Sequence, residues 1–376
     1  MKKIDLIKIC KNLEIVGDGG KLKFPLHYKI TKNKVEFWYE TKSGRFEPQP
    51  ITFSRFIPLN QITLKVFGLI QAEATKVNYT VFDFSNSNPD LIKIIVNYFE
   101  KLWLIPRRLW KCEITYWKGK INKELEKGIK SFWSSLLKIS PNQIKIREGT
   151  SYRLSKKSKS KYGVVSLRLP NKVFRSTIIH VLKNYIYPSV EKNSNLAGYY
   201  LCGLLSGDGT IVLNGNSISY IGLAFNPNSD ELNHYKKVLN ILNITPNLSS
   251  INHVERKNIQ ITGWKNFYQI LKVTNCEPFI SVEKNIKFYK GFLNNQYVKS
   301  LLRLEEILKL NEISAQSYSK LFRVCERSAH DSLTRMFNLN ILSRMKRGQK
   351  YVYFINPEGK EFLKIMKCLR NKLEVK

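Results

Sequence analysis

The chain is short of acid. Its 376 residues include 29 Asp and Glu against 63 Lys and Arg, a formal net charge of +34. An excess of that size repels itself in the folded state, and a polyanionic partner would offset it; nucleic acid fits first, an acidic membrane surface second. Long apolar runs are missing too. No uninterrupted stretch approaches the ~20 residues that a spanning helix needs. "MKKIDLIKIC" begins like a secretory leader, but Asp5 and Lys8 break its apolar segment. The expectation is a soluble, cytoplasmic, nucleoid-associated protein. The clustered thiols and imidazoles of a soft-metal site are also lacking. Cys10, Cys112, Cys202, Cys276, Cys325 and Cys368 are dispersed with no C-x-x-C, and the five histidines form no H-E-x-x-H pair. A disulfide framework or a structural zinc site therefore has little support. Any metal chemistry must rest on oxygen ligands and a hard cation such as Mg²⁺. What is present is core material: 43% hydrophobic and 12% aromatic residues, over a length that suits two or three domains.

The word "SVEKN" occurs at 189–193 and again at 281–285. Upstream of each copy lies a looser similarity, "VFGLIQAEAT" (66–75) and "LCGLLSGDGT" (201–210), which pairs Gly68 with Gly203, Leu69 with Leu204, Ala72 with Gly207, Glu73 with Asp208 and Thr75 with Thr210. Both read as helices running into the motif, the second stopped by Gly209. Downstream, "FSNSNPDLIKIIVNYFEKL" (84–102) mirrors "FNPNSDELNHYKKVLNIL" (225–242), each an apolar strand end followed by a helix-starting Asn/Ser/Pro/Asp cluster. Glu73 and Lys192 are 119 residues apart, Asp208 and Lys284 only 76. An extra helix around "INKELEKGIKSFWSSLLKI" (121–139) can fill the difference. The pattern predicts a duplicated domain of αββαββα type.

Gly68 and Ala72, like Gly203 and Gly207, are four apart, so each motif helix presents a ridge of minimal side chains on one face. Packed through these ridges, the helices would approach closer than the usual 8–10 Å or so and set Glu73 beside Asp208. Two such carboxylates repel unless a divalent cation sits between them. On so basic a protein this suggests metal-assisted phosphodiester hydrolysis, the metal lowering the pKa of an attacking water.

At these residues the chain resembles the LAGLIDADG homing endonucleases: "LCGLLSGDG" is similar to the family motif and "VFGLIQAEA" to a more divergent first copy, over about 60–297. The resemblance implies two αββαββα halves with saddle-shaped antiparallel sheets in the DNA major groove and the motif helices at their interface. It implies Mg²⁺, or Mn²⁺, held at Glu73 and Asp208, with the adjoining Ala74 and Gly209 counted in the metal site. It also implies basic catalytic partners after the last helix of each half, at Lys192 and Lys284. Two positions depart from the family pattern. The sixth motif position, often acidic, is Gln71 or Ser206, and the closing glycine is Ala74 in the first copy, a costlier helix end wherever a left-handed residue is needed.

Candidate strands at 79–84, 111–117, 143–148, 163–169, 217–225 and 258–263 include several that alternate apolar with polar residues, as in "KCEITYW" and "VVSLRL". Such a sheet has an outward polar face that can meet base edges. "RLSKKSKSKYG" (153–163), with Lys156, Lys157 and Lys159, reads as a loop touching phosphates. Residues 1–58 form a β-rich extension outside the resemblance. From about 298 the pattern becomes three helices ("KSLLRLEEILKL", "SAQSYSKLFRV", "SAHDSLTRMFNLNI"), a hairpin around "RGQ" and a last helix, the pattern of a winged helix-turn-helix. In the third helix Ala329, Leu333, Met336 and Phe337 share one face. Arg327, Thr334 and Arg335 are the candidate groove contacts there, with Arg344, Lys346, Arg347 and Lys350 on the wing.

The expected organisation is therefore 1–58 extension, 59–194 first half, 195–297 second half and 298–376 winged helix, in an α+β chain. The expected activity is site-specific, metal-dependent cleavage of double-stranded DNA by a monomer. The start at Met1, with no splicing-domain sequence around the core, suggests a free-standing protein. Two alternatives use the same surfaces: a transcription regulator on a catalytically retired fold, and a maturase binding intron RNA.

Overall fold

The computed structural model describes residues 2–16, 22–40, 50–74, 81–117, 122–149, 162–225, 230–250 and 257–374. The chain divides into two compact units. One comprises Met1–Thr210, Gly222–Gln260 and Glu277–Val282; the other comprises Ile211–Ile221, Ile261–Cys276 and Glu283–Lys376.

The N-terminal segment holds β1 (Lys3–Asp5), α1 (Leu6–Cys10), β2 (Glu14–Val16), β3 (Lys23–Pro25), β4 (His27–Thr31), β5 (Lys34–Trp38), β6 (Ile51–Ser54) and β7 (Phe56–Pro58). These form three small sheets, β1-β7, β2-β3 and β4-β5-β6. The segment shares a core with the first duplicated half: Phe53 of β6 lies 5.7 Å from Trp103 and 6.2 Å from Phe174 between ring centroids. The boundary expected at 58/59 thus separates stretches of chain rather than separate cores.

The first half runs α2 (Gln61–Glu73), β8 (Phe82–Asn86), α3 (Pro89–Trp103), β9 (Lys111–Trp117), α4 (Lys123–Leu137), β10 (Ile144–Gly149), β11 (Val164–Leu169) and α5 (Lys172–Val181). A π-helical turn (Leu182–Ile186) then leads into α6 (Tyr187–Val190). Its sheet has the order β10-β9-β11-β8, and Ala74 bridges antiparallel to Phe84 of β8. The pair β9-β10 is parallel. Helix α4 is the reason, because a parallel neighbour needs a crossover connection. The inserted material expected at 121–139 therefore adds a strand as well as a helix. Alternation does as expected here: Phe82, Phe84, Cys112, Ile114, Val165, Leu167 and Leu169 are buried, while Asp83, Ser85, Glu113, Ser166 and Arg168 stand on the polar face. Phe174 closes the core, 4.9 Å from Phe99 and 5.3 Å from Phe82.

The second half runs α7 (Ser194–Gly207), β12 (Gly209–Asn214), β13 (Ser217–Phe225), α8 (Glu231–Ile241), β14 (Pro246–Ser250), β15 (Lys257–Thr262), α9 (Trp264–Val273) and α10 (Val282–Leu293), with sheet order β12-β13-β15-β14. The second half thus follows the αββαββα plan; the first shows β8 alone between its first two helices among the described residues and carries α4 and β10 as an insertion, and residues 75–80 lie outside the described chain.

The C-terminal segment comprises α11 (Gln296–Leu301), α12 (Leu304–Lys309), β16 (Ile313–Ser314), α13 (Ala315–Phe322), α14 (Glu326–Asn338), β17 (Leu342–Arg347), β18 (Lys350–Ile355) and α15 (Pro357–Glu374), with a three-stranded sheet β16-β18-β17. "KSLLRLEEILKL", expected as one helix, breaks at Leu302–Arg303, where the Arg303 guanidinium sits 5.0 Å from the Phe322 ring. Among the described residues no helix is long and apolar enough to cross a membrane.

Candidate active site at the ends of the paired motif helices

Helices α2 and α7 each start on an asparagine cap: Asn60 Oδ1 accepts from the Thr63 amide, Asn193 Oδ1 from the Leu196 amide. Both are buried on nearly all sides, as expected for helices apolar around their whole circumference. Their contact depends on absent side chains. A Cβ at Gly68 would stand 2.1 Å from the Tyr200 carbonyl oxygen, and one at Gly203 would stand 2.0 Å from that of Lys65. Further along, a Cβ at Gly207 would lie 2.5 Å from Ala72 Cβ and 2.9 Å from Glu73 Cγ. The four ridge residues thus form the helix contact, and the contact brings Glu73 to the end of α7, against Gly207, the residue before Asp208.

Both carboxylates sit where helix dipoles are negative, and neither helix has a basic residue in its last turn. Asn86 of β8 orients one of them, its Nδ2 donating to Glu73 Oε1 at 2.7 Å. Among the described residues no group of three or more His, Cys, Asp or Glu side chains converges to hold a metal. A pair of carboxylates completed by water and a phosphate oxygen suits Mg²⁺, which retains water and rarely takes an all-protein cage. The donor set fits a hard cation.

Two expectations about the motif ends are corrected. Asp208 caps α7 with φ −78° and ψ −9°, and Ala74 caps α2 with φ −78° and ψ 139°. Neither helix end needs a left-handed residue, so Ala74 imposes no strain. Gly209 is required for space instead: its Cβ would lie 2.2 Å from the Leu205 carbonyl oxygen.

The two "SVEKN" segments occupy different structures. Ser189 and Val190 end α6, and Lys192 lies exposed in the turn before α7. In the second copy Ser281 is buried and Lys284 falls in the first turn of α10. Lys192 and Asp208 are thus at opposite ends of α7, about 24 Å apart at 1.5 Å per residue. The structure does not bring Lys192 to the carboxylates, and the shared word does not make the two lysines equivalent. The chain entering α10 is anchored by the Ile280 amide, which donates to Ser206 Oγ on α7 at 2.7 Å.

Gln71, at the sixth motif position, faces inward and joins a buried polar network. It accepts a hydrogen bond from the Tyr187 hydroxyl, and its Nε2 donates to Tyr235 Oη at 3.4 Å. His234 stacks on Tyr187 at 3.6 Å and sits between Glu191 Oε1 (2.7 Å) and Tyr200 Oη (3.0 Å). Lys237 donates to Glu191 Oε2 at 3.1 Å. Gln71, Tyr187, Glu191, Glu231, His234 and Lys237 line a cavity of about 640 Å³. Burial, reinforced by the charges of Glu231, Glu191 and Asp230, raises the Tyr187 phenol above its ordinary value. Nothing in the local sequence announces this cluster, whose members come from four separate segments; Asn86 escapes sequence reading for the same reason.

The first sheet's polar face is partly self-neutralised. Arg168 donates to Asp83 and to Glu113, both at 2.9 Å, and Arg147 also pairs with Glu113. In the C-terminal segment Arg327 and Arg335 are exposed on α14 and Lys346 is exposed on the hairpin. Thr334 turns the other way: its Oγ1 is buried without a hydrogen-bond partner, so the hydroxyl is not presented to a groove. Arg344 is held between the rings of Phe337 (4.2 Å) and Tyr351 (4.5 Å). Arg347 pairs with Glu312 at 2.8 Å, and Lys350 donates to Gln316 at 3.4 Å. Lys156, Lys157 and Lys159 lie outside the described residues.

No protein-family model and no curated protein matches the chain. Similar solved structures include full-length DUF199/WhiA from Thermatoga maritima, with 12% identity over 75% of this chain and 92% of that one, TM-score 0.35. The N-terminal LAGLIDADG domain of DUF199/WhiA has 10% identity over 58% of this chain and 86% of that one, TM-score 0.33. Mesophilic variants from the homing endonuclease I-DmoI have 13% identity over 58% of this chain and 97% of that one, TM-score 0.32. No residue role is carried over from them.

Proposed function

We propose that the chain is a divalent-metal-dependent endonuclease for double-stranded DNA, with Glu73 and Asp208 as its metal ligands. The observation behind this reading is the approach of Glu73 Cγ to within 2.9 Å of the Cβ position of Gly207, the residue before Asp208, at the negative ends of two helices with no basic residue in either last turn. Carboxylates at the negative ends of two helices offer oxygen ligands of the kind a hard divalent cation takes. A bound Mg²⁺ or Mn²⁺ would supply charge neutralisation at the phosphate and acidify water. The chain's own contributions come from position. Asn86 holds Glu73 in orientation, the two halves offer polar sheet faces to the duplex, and their pseudo-symmetry supplies one carboxylate for each strand. Lys284 is the basic group retained in the proposal, stabilising charge that develops on the phosphate; Lys192, at the far end of α7, is left out. The C-terminal segment, whose three-stranded sheet is built around α13 and α14, fits a winged helix. There Arg327, Arg335 and Lys346 are the contacts with free reach, and Arg344, Arg347 and Lys350 serve the wing's own structure as much as any phosphate.

The distance of Lys192 from the carboxylates favours a second reading, a DNA-binding regulator in which the carboxylates no longer support turnover. A randomised duplex library incubated with Mg²⁺, and in parallel with Mn²⁺, separates the two. Discrete metal-dependent breaks in both strands support the nuclease. Sequence-selective retention with no breaks under either metal supports the regulator.

A further inference from the structure

Among the described residues the C-terminal segment is joined to the second half at two points, both inside the second compact unit. The first is covalent and short. Helix α10 ends at Leu293 and α11 begins at Gln296, so only Asn294 and Asn295 lie between them. Both are committed. Their amides donate to Lys290 O (3.1 Å) and Phe292 O (3.0 Å), Asn294 O accepts from Ser217 Oγ of β13 at 3.1 Å, and Asn295 Oδ1 caps α11 through the Tyr297 amide at 2.9 Å.

The second point is non-covalent and lies far along the chain. Tyr268 of α9 is buried with its ring 5.4 Å from Phe362 of α15, and its hydroxyl donates to Glu358 Oε1 at 3.1 Å. One turn further on α9, Lys272 Nζ reaches Glu358 at 3.0 Å and Glu361 at 2.6 Å. Residues 268 and 272 share one helix face, as do 358, 361 and 362, so the two faces meet as matched stripes. Helix α15 is in turn fixed to the rest of its segment. Asn356 Oδ1 accepts from the Gly359 amide (2.9 Å) while its Nδ2 donates to Asn340 O (2.8 Å), and Arg370 Nη1 donates to Glu305 of α12 at 2.7 Å. At 18 residues, α15 is a strut about 27 Å long, tied near both ends.

A DNA-binding module on a flexible linker samples a range of spacings, whereas one fixed at two points has a single spacing. We infer that the contact of α9 with α15 fixes the C-terminal module at one offset from the part of the second half that shares its compact unit, Ile211–Ile221 and α9. The DNA target is then bipartite: a core segment read by β12 and the start of β13, and a flanking segment read by the C-terminal module at one fixed distance from it. Tyr268, Lys272, Glu358 and Glu361 act as positioning residues. The inference rests on the DNA-binding reading under Proposed function and goes beyond it by assigning a flanking contact and its rigid spacing.

The test is a footprint of the full chain on its selected duplex, repeated with 1 to 10 or so base pairs inserted between core and flank. An insertion of about 5 base pairs, half a helical turn, removes protection of the flank and weakens binding by about tenfold or more, because the multivalent gain is lost when geometry forbids both contacts. Lys272→Glu should restore tolerance of the insertions, and combining it with Glu358→Lys and Glu361→Lys should abolish that tolerance again; a merely structural role would not reverse with charge. Hydrogen exchange of α15 without DNA should be faster in Lys272→Glu and normal in the triple variant. A wild-type chain that binds DNA but protects the flank at every spacing overturns the fixed offset alone. A chain that protects no DNA overturns the functional reading and the offset with it, and the exchange measurement then judges the contact by itself.

Discussion

Gly207 of α7 and Glu73 of α2 are so close that a methyl group placed on Gly207 would stand 2.9 Å from Glu73 Cγ. The closeness is set further back along the same helices, where Gly68 and Gly203 meet the partner helix's carbonyl oxygens. Backbone cannot move aside as a flexible side chain can. Gly203→Ala should therefore destabilise the chain by about 3 kcal/mol, the upper part of the range for overpacking, and should lower any metal-dependent cleavage by displacing Asp208 from Glu73. Gly128 is the control. It lies inside α4 with nothing within 4 Å of its Cβ position, so Gly128→Ala should stabilise by up to about 1 kcal/mol through helix propensity. Urea unfolding of the two variants reads both effects.

Acid sensitivity should be traceable to Glu191. Burial pushes its carboxyl up, but hydrogen bonds from His234 and Lys237 outweigh that and hold it below its ordinary value of 4.5. A carboxyl depressed in the folded state contributes stability above the unfolded value and loses it as pH falls through the folded value. Glu191→Gln should thus cost about 1 kcal/mol at pH 7, with the gap to wild type closing as pH drops below about 4.5. Thermal melts from pH 7 to pH 3 test the convergence. Some acid sensitivity remains in the variant, because Asp5 and Glu100 are also held below their ordinary values.

Thiol chemistry should be confined to the C-terminal segment. Burial pushes the Cys10, Cys112 and Cys202 thiols up to about 12, and Cys276 is buried as well. Cys325 is exposed at the start of α14, with its thiol lowered by hydrogen bonding to Ser328. Since the thiolate is the nucleophile, a chromogenic disulfide at pH 7.5 should titrate Cys325 first, the half-buried Cys368 more slowly, and the other four only on unfolding. A bulky maleimide on Cys325 should weaken DNA binding without changing the melting temperature.

Much of the architecture is legible in the sequence because local rules agree with the fold. "KCEITYW" alternates and forms the strand Lys111–Trp117 as expected, and the two glycine ridges point to a close helix pair that the structure contains. Similarity without geometry misleads. The repeated "SVEKN" ends a helix in one place and begins one in the other, so equal words do not mean equal positions, and Lys192 lies far from the carboxylates. Gly209 suggests a left-handed cap, whereas the constraint is a carbonyl 2.2 Å from where its Cβ would be, which depends on packing within the last helical turn. Helical period puts Thr334 on an outer face, but period does not say where a short side chain's oxygen points. The α9–α15 contact, 86 residues apart between Lys272 and Glu358, has no local signature at all.

The central claim is that Glu73 and Asp208 together hold the metal that cleavage requires. The most direct measurement compares wild type, Glu73→Gln and Asp208→Asn on the selected duplex with Mg²⁺, recording cleavage of each strand and equilibrium binding side by side. Loss of the several kcal/mol that a metal supplies to a phosphoryl transition state corresponds to about 10³-fold or more. Each variant should therefore lose cleavage by that factor while binding the duplex as tightly as wild type. Cleavage that persists in either variant at the wild-type rate would contradict the assignment.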